Sequence, residues 1–133
     1  MRFISKIALS CLAALVVTGP ALAQDTGGGT SLTITLSDFA FAPDPIVLQH
    51  GQTYHLHFVN DSSSSHDFKA PEFFAAATLS PDARAKIADG AIELKEHTTL
   101  DIDLVPATAG KYPVECSHFM HAMMGMTTNV VVQ

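Results

Sequence analysis

The sequence predicts an all-β protein, an antiparallel β-sandwich of about seven short strands with one short helical insertion. Three observations carry this. Apolar residues alternate with polar ones at a period of two in several separate segments, prolines and glycines punctuate those segments, and a single stretch changes to helical spacing. The chain has 133 residues, 47% hydrophobic and 15% charged, which suits one folded domain with its own core.

Taken in order, Met1 to Ala23 reads as a secretory signal peptide. Arg2 and Lys6 precede an apolar run from Ile7 to Val17, and Ala21-Leu22-Ala23 forms a small-x-small cleavage site. The run is well short of the roughly 20 residues of a spanning helix, so a membrane anchor is the weaker reading and no span is expected after processing. Residues 24–30, with three consecutive glycines, read as a flexible lead-in, and 31–133 as the folded domain.

Leu32, Ile34 and Leu36 alternate with polar neighbours, as on a half-buried strand. Ile46 to Gln49 is a short apolar run, His50-Gly51-Gln52 a turn, and Tyr54 to Val59 a second alternating strand, followed by a polar loop from Asn60 to Ser65. Ser80-Pro81-Asp82 has the cap, first-turn proline and acidic first turn of a helix running to Ala88, with Gly90 ending it. Ile92 and Leu94, then Leu100, Ile102 and Leu104, then Tyr112, Val114 and Cys116 mark three more strands, and Thr127 to Val132 closes the chain.

Cleavage after Ala23 leaves 110 residues with 5 basic and 13 acidic side chains, a net charge of −8. Nucleic acid is excluded as a partner, because phosphate binding relies on clustered Lys and Arg; a basic protein partner would be steered toward this surface. Cys11 leaves with the signal, so Cys116 stands alone. A single thiol in an oxidising compartment needs burial or occupation to survive.

Residues 116–126 place one thiol, His118, His121 and the thioethers of Met120, Met123, Met124 and Met126 within eleven positions. Thiolate and thioether suit Cu(I) and imidazole accommodates both oxidation states, so this donor set selects copper. Zinc is the competing metal, disfavoured by the thioethers. A second imidazole must come from elsewhere, and His66, just beyond a strand end, is placed on a loop that can meet the final hairpin.

With these residues in view the sequence resembles the cupredoxin, or blue copper, family. The resemblance runs through Phe39-Ala-Phe41-Ala-Pro43, Ile46 and Gly51, the Asn60 to Phe68 segment, and the Cys-x4-His-x4-Met close. It implies a Greek-key β-sandwich holding one type 1 copper by His66, Cys116 and His121 in a near-trigonal plane, with Met126 as weak axial ligand. Met124 is the alternative axial ligand; Gly125, which permits a tight turn, favours Met126. His118 is read as an accessory group beside the metal rather than a principal ligand. Met120 and Met123 are read as an apolar rim around His121.

His55 and His57 share one strand face and could form a second metal pair, though exposure without a ligand is the plainer reading. Asp67 is expected to be solvated, and Asn60 to tie the His66 loop to the Cys116 strand. The resemblance implies a monomeric periplasmic one-electron carrier, not an enzyme, whose partner is a cytochrome, a cuproenzyme or another redox protein. Copper enzymes of this fold carry further domains and copper centres. The surplus of Met and His supports a second reading, a copper-tolerance protein that sequesters the ion or passes it to a copper acceptor.

Overall fold

The computed structural model describes residues 28–133; the expected signal peptide, 1–23, and residues 24–27 of the lead-in lie outside them. The strands are β1 (Thr30–Ser37), β2 (Ala40–Ala42), β3 (Ile46–Leu48), β4 (Tyr54–Asn60), β5 (His66–Lys69), β6 (Ala77–Leu79), β7 (Ala91–Leu94), β8 (Thr99–Pro106), β9 (Gly110–Glu115) and β10 (Thr127–Val132). Helices α1 (Pro71–Ala75) and α2 (Pro81–Lys86) fall between β5 and β7. Two five-stranded sheets result, in the orders β2-β1-β4-β8-β6 and β3-β10-β9-β5-β7. The chain changes sheet repeatedly, as in Greek-key sandwiches.

The all-β sandwich agrees with the sequence reading, with ten strands among the described residues where seven were expected and two short helices where one was. The additional strands, β2, β5 and β6, are three or four residues long, too short to display a period. Two pairings are parallel, β1 with β4 and β3 with β10, so the sheets are mixed rather than purely antiparallel. Side-chain alternation is the same for both directions of pairing and could not distinguish them.

The inner faces supply the core. Ile34, Leu36, Leu56, Phe58 and Ile102 from one sheet meet Ile46, Leu48, Phe68, Ile92 and Val130 from the other, all fully or almost fully buried. Each such side chain contributes roughly 1.5–3 kcal/mol by leaving water. Phe68 is the hub: its ring meets Phe58 at 5.0 Å, Phe41 at 5.8 Å and Phe74 at 6.0 Å between centroids.

The expected helix begins as predicted, with the Ser80 hydroxyl oxygen accepting from the Ala83 N–H at 3.0 Å. It stops at Lys86, two residues early, and Gly90 serves a tight turn into β7 instead. Gly90 has φ +72°, and a Cβ there would come within 2.5 Å of the Pro71 Cβ. Among the described residues no helix is long and apolar enough to cross a membrane.

Candidate metal centre

The site lies where the β1–β2 turn, the start of β5 and the β9–β10 loop meet. His66 is not in a loop: it is the first residue of β5, paired with Leu94 of β7. It shares a strand face with Phe68 two residues on, and the packing of that ring fixes the strand, leaving His66 only 1% exposed. Cys116 follows β9 directly and is fully buried, its N–H donating to the Met126 carbonyl at 3.1 Å.

Between them residues 118–125 form a compact series of turns. His121 N–H donates to His118 O, Met124 N–H to Met120 O and Gly125 N–H to Ala122 O, each at 3.0 Å. Gly125 takes φ +97°, a conformation that favours glycine, and so delivers Met126 to β10 as the sequence predicts. Met126 is fully buried and its N–H donates to His121 O at 3.0 Å, whereas Met124 is 58% exposed.

Three donor atoms converge. His66 Nδ1 and His121 Nδ1 are 3.1 Å apart, and Cys116 Sγ lies 3.4 Å from His121 Nδ1 and 3.8 Å from His66 Nδ1. A triangle of those sides has a point in its plane about 2.0 Å from every corner, a metal–nitrogen bond length and a little short of a metal–sulfur one. Two imidazole nitrogens and a thiol packed this closely, with no solvent at Cys116, fit a small first-row ion of mixed N/S preference, and copper meets that description.

Electrostatics agree. Burial pushes His66 below the usual 6.5, reinforced by His121 and opposed by Asp38. Burial pushes the Cys116 thiol above the usual 9.0, against the pull of the Asp67 and His118 backbone N–H groups. Near neutral pH the metal-free site therefore holds a neutral imidazole at 66, ready as a ligand, and a thiol that gives up its proton when a metal arrives.

Several neighbours differ from the sequence reading. Asp67 is 5% exposed rather than solvated: its carboxylate accepts from the Ser117 N–H at 2.5 Å and from the Ser117 hydroxyl. Its own N–H points at Cys116 Sγ, 3.5 Å away. Asp67, not Asn60, is thus the tie between the His66 strand and the cysteine. Asn60 donates to the Ser64, Leu94 and Lys95 carbonyls and accepts from Ser62, bracing the loop that precedes β5. The signal for Asp67 was only its position between His66 and Phe68 on a strand too short to recognise.

His118 does not join the three donors. Its Nε2 meets both Glu93 oxygens at 3.0 Å, and its ring stacks on His121 with centroids 5.6 Å apart. Glu93, His118 and Asp67 form a second compact group of metal-type side chains, but its members already bond to one another and to Ser117. His55 and His57 are each engaged separately, with Asp103 at 2.5 Å and Asp101 at 2.6 Å, across the β4–β8 ladder. His121 is the half-buried edge of the site, with the Phe39 ring edge-on to it at 5.4 Å between centroids; Phe119, Met120, Met123 and Met124 of the same loop are exposed.

Comparison with known proteins follows the same line. The fold is shared with a sodium-dithionite-reduced auracyanin from the photosynthetic bacterium Roseiflexus castenholzii, at TM-score 0.60 and 20% identity over 80% of this chain and 99% of that one. An auracyanin B structure matches at TM-score 0.57 and 17% identity, over 78% and 88%. A multicopper oxidase from Campylobacter jejuni, described as a metallo-oxidase, matches at TM-score 0.55 and 12% identity, over 77% of this chain and 30% of the oxidase. No curated protein matches by sequence. The family model for the cupredoxin-like domain matches residues 7–132, and the chain accordingly belongs to the cupredoxin-like domain family.

Proposed function

We propose that this chain is an exported, periplasmic protein that holds one copper ion in a type 1 site and carries single electrons between redox partners. His66, His121 and Cys116 would hold the ion, with the buried thioether of Met126 as a further, weaker donor. The observation that carries the reading is the convergence of two imidazole nitrogens and one buried sulfur within 3.8 Å.

Copper, when bound, supplies the one-electron couple. The protein supplies a donor set that both oxidation states accept. His66 is on a strand and Cys116 and Met126 adjoin strand ends, so the framework around the ion has little freedom to rearrange between them. The Asp67 N–H directed at Cys116 Sγ adjusts the electron density on that sulfur. The half-exposed His121, edge-on to Phe39, and the exposed apolar side chains of its loop, Phe119, Met120 and Met123, offer an apolar surface to a partner. The mature charge of −8 suits a basic cytochrome or cuproenzyme.

The test is the visible spectrum and voltammetry of the copper-loaded mature protein. An intense charge-transfer band that disappears in Cys116→Ser, together with a reversible one-electron wave, supports the reading. A colourless loaded protein defeats it. The exposed thioethers of Met120, Met123 and Met124 favour one alternative, a protein that hands Cu(I) to an acceptor. Rapid loss of Cu(I) to a chelator, against slow loss from a carrier, separates the two.

A further inference from the structure

Among the described residues, one buried side-chain nitrogen or oxygen has no hydrogen-bond partner: Nε2 of His66. The acceptor that faces it is Asp38 Oδ1, 3.6 Å away on a side chain 62% exposed. Asp38 and Phe39 are the two turn residues of the β1–β2 hairpin, closed by the Ser37–Ala40 pair. Phe39 has φ +63°, and its ring meets His121 edge-on with centroids 5.4 Å apart and planes at 84°. Two successive residues of one turn thus face the two histidines of the site.

The residue types argue for a purpose. Of the two turn residues only the second, Phe39, has positive φ, at the position where a turn of this kind favours glycine or asparagine. A phenylalanine there is an uncommon and strained choice. Strain of this kind persists where the side chain is used. The nitrogens of His66 also leave little latitude. Nδ1 points at Cys116 and His121, so its lone pair binds metal only when the ring proton sits on Nε2, and that proton needs an acceptor.

We propose that the Asp38–Phe39 turn is a positioning clamp for the metal site, with the Asp38 carboxylate accepting the His66 Nε2–H while the Phe39 ring holds the plane of His121. This rests on the copper reading above. Closing the present gap by about 0.5 Å brings the pair into hydrogen-bond range, a movement within reach of an exposed turn side chain. The carboxylate then fixes the tautomer, and its negative charge stabilises the more highly charged Cu(II) over Cu(I).

Three variants and four readouts test it. In the metal-free protein, nitrogen NMR of the histidine rings should find the His66 proton on Nε2 in the wild type and a mixture of tautomers in Asp38→Ala. In the copper-loaded protein, Asp38→Ala should bind Cu(II) about 10- to 100-fold more weakly. Asp38→Asn, which keeps an acceptor but no charge, should raise the reduction potential. Phe39→Gly should weaken copper binding without lowering the thermal stability of the metal-free protein, because glycine relieves the positive φ; a stability loss instead would reduce the ring to packing and overturn its role.

A wild-type proton on Nδ1, or an unchanged potential and tautomer on substitution of Asp38, overturns the clamp while leaving the copper reading intact. A protein that takes no copper defeats the functional reading alone, and the metal-free tautomer still decides for or against Asp38.

Discussion

His66 and His121 are the same side chain held in two different ways. His66 sits 1% exposed on a strand whose next inward residue is the hub of the core. His121 sits half-buried on a loop of turns, its ring flanked by His118 and Phe39 and its surroundings open to solvent. One imidazole is placed by the packing of the sandwich, the other by local backbone hydrogen bonds between residues 118 and 126. The buried half fixes where a metal would sit; the exposed half decides what can reach it.

Phe68 and Phe119 break this contrast most sharply, one in each half. Phe68 is fully buried and Phe119 is 89% exposed. Phe68→Ala should cost about 3–5 kcal/mol of unfolding free energy by urea titration and loosen His66 with it. Phe119→Ala should stay within about 0.5 kcal/mol and, on the carrier reading, alter only exchange with a partner. Comparable costs at the two positions would mean that the loop is as much a part of the core as β5.

The next effect concerns the joint between the halves. Asp67→Ala removes the acceptor for both Ser117 donors, and should cost about 1–2 kcal/mol while speeding hydrogen exchange at the Ser117 amide. Unchanged protection there would remove Asp67 as the tie between β5 and the cysteine.

That joint was not legible in the sequence, and the reason is physical. β1, β4, β8 and β10 are six to eight residues long, enough for alternation to show a buried face. β5 is four residues, His-Asp-Phe-Lys, with one apolar side chain, and reads as the end of a polar loop. Asp67 acquires its partner only because β5 pairs beside β9 at Lys69 and Glu115, a long-range contact no local pattern encodes. The candidate site was legible because its residue types are rare: Cys116, His121 and Met126 stand close together in sequence, and Gly125 announces the turn before Met126. The Asp38 and Phe39 contacts were invisible for the same reason as Asp67.

Protonation sharpens the account of the buried half. Burial lowers the His66 value, so the folded metal-free protein binds that proton less readily than the unfolded chain, and stability should fall as pH drops below 6.5. Burial raises the Cys116 value, so its contribution is complete below pH 9.0 and is lost as the pH rises beyond it. Urea midpoints measured from pH 5 to 10 should trace a plateau with both shoulders, and a copper-loaded sample should shift them by making proton release part of binding. A monotonic profile would contradict the burial of one group or the other.

The smallest effects separate the methionines. Met126→Leu and Met123→Leu both preserve volume and should cost less than about 1.5 kcal/mol. Met126→Leu should nonetheless change the spectrum and potential of the loaded protein, and Met123→Leu neither. A spectral change confined to Met123→Leu would move the axial role to the exposed loop.

X-ray absorption at the copper edge of the loaded protein tests the central claim most directly. The account predicts one copper with two nitrogens and one sulfur in its inner shell, the sulfur lost in Cys116→Ser and one nitrogen lost in His66→Ala. A shell of oxygen and nitrogen alone, unchanged by either substitution, would contradict it.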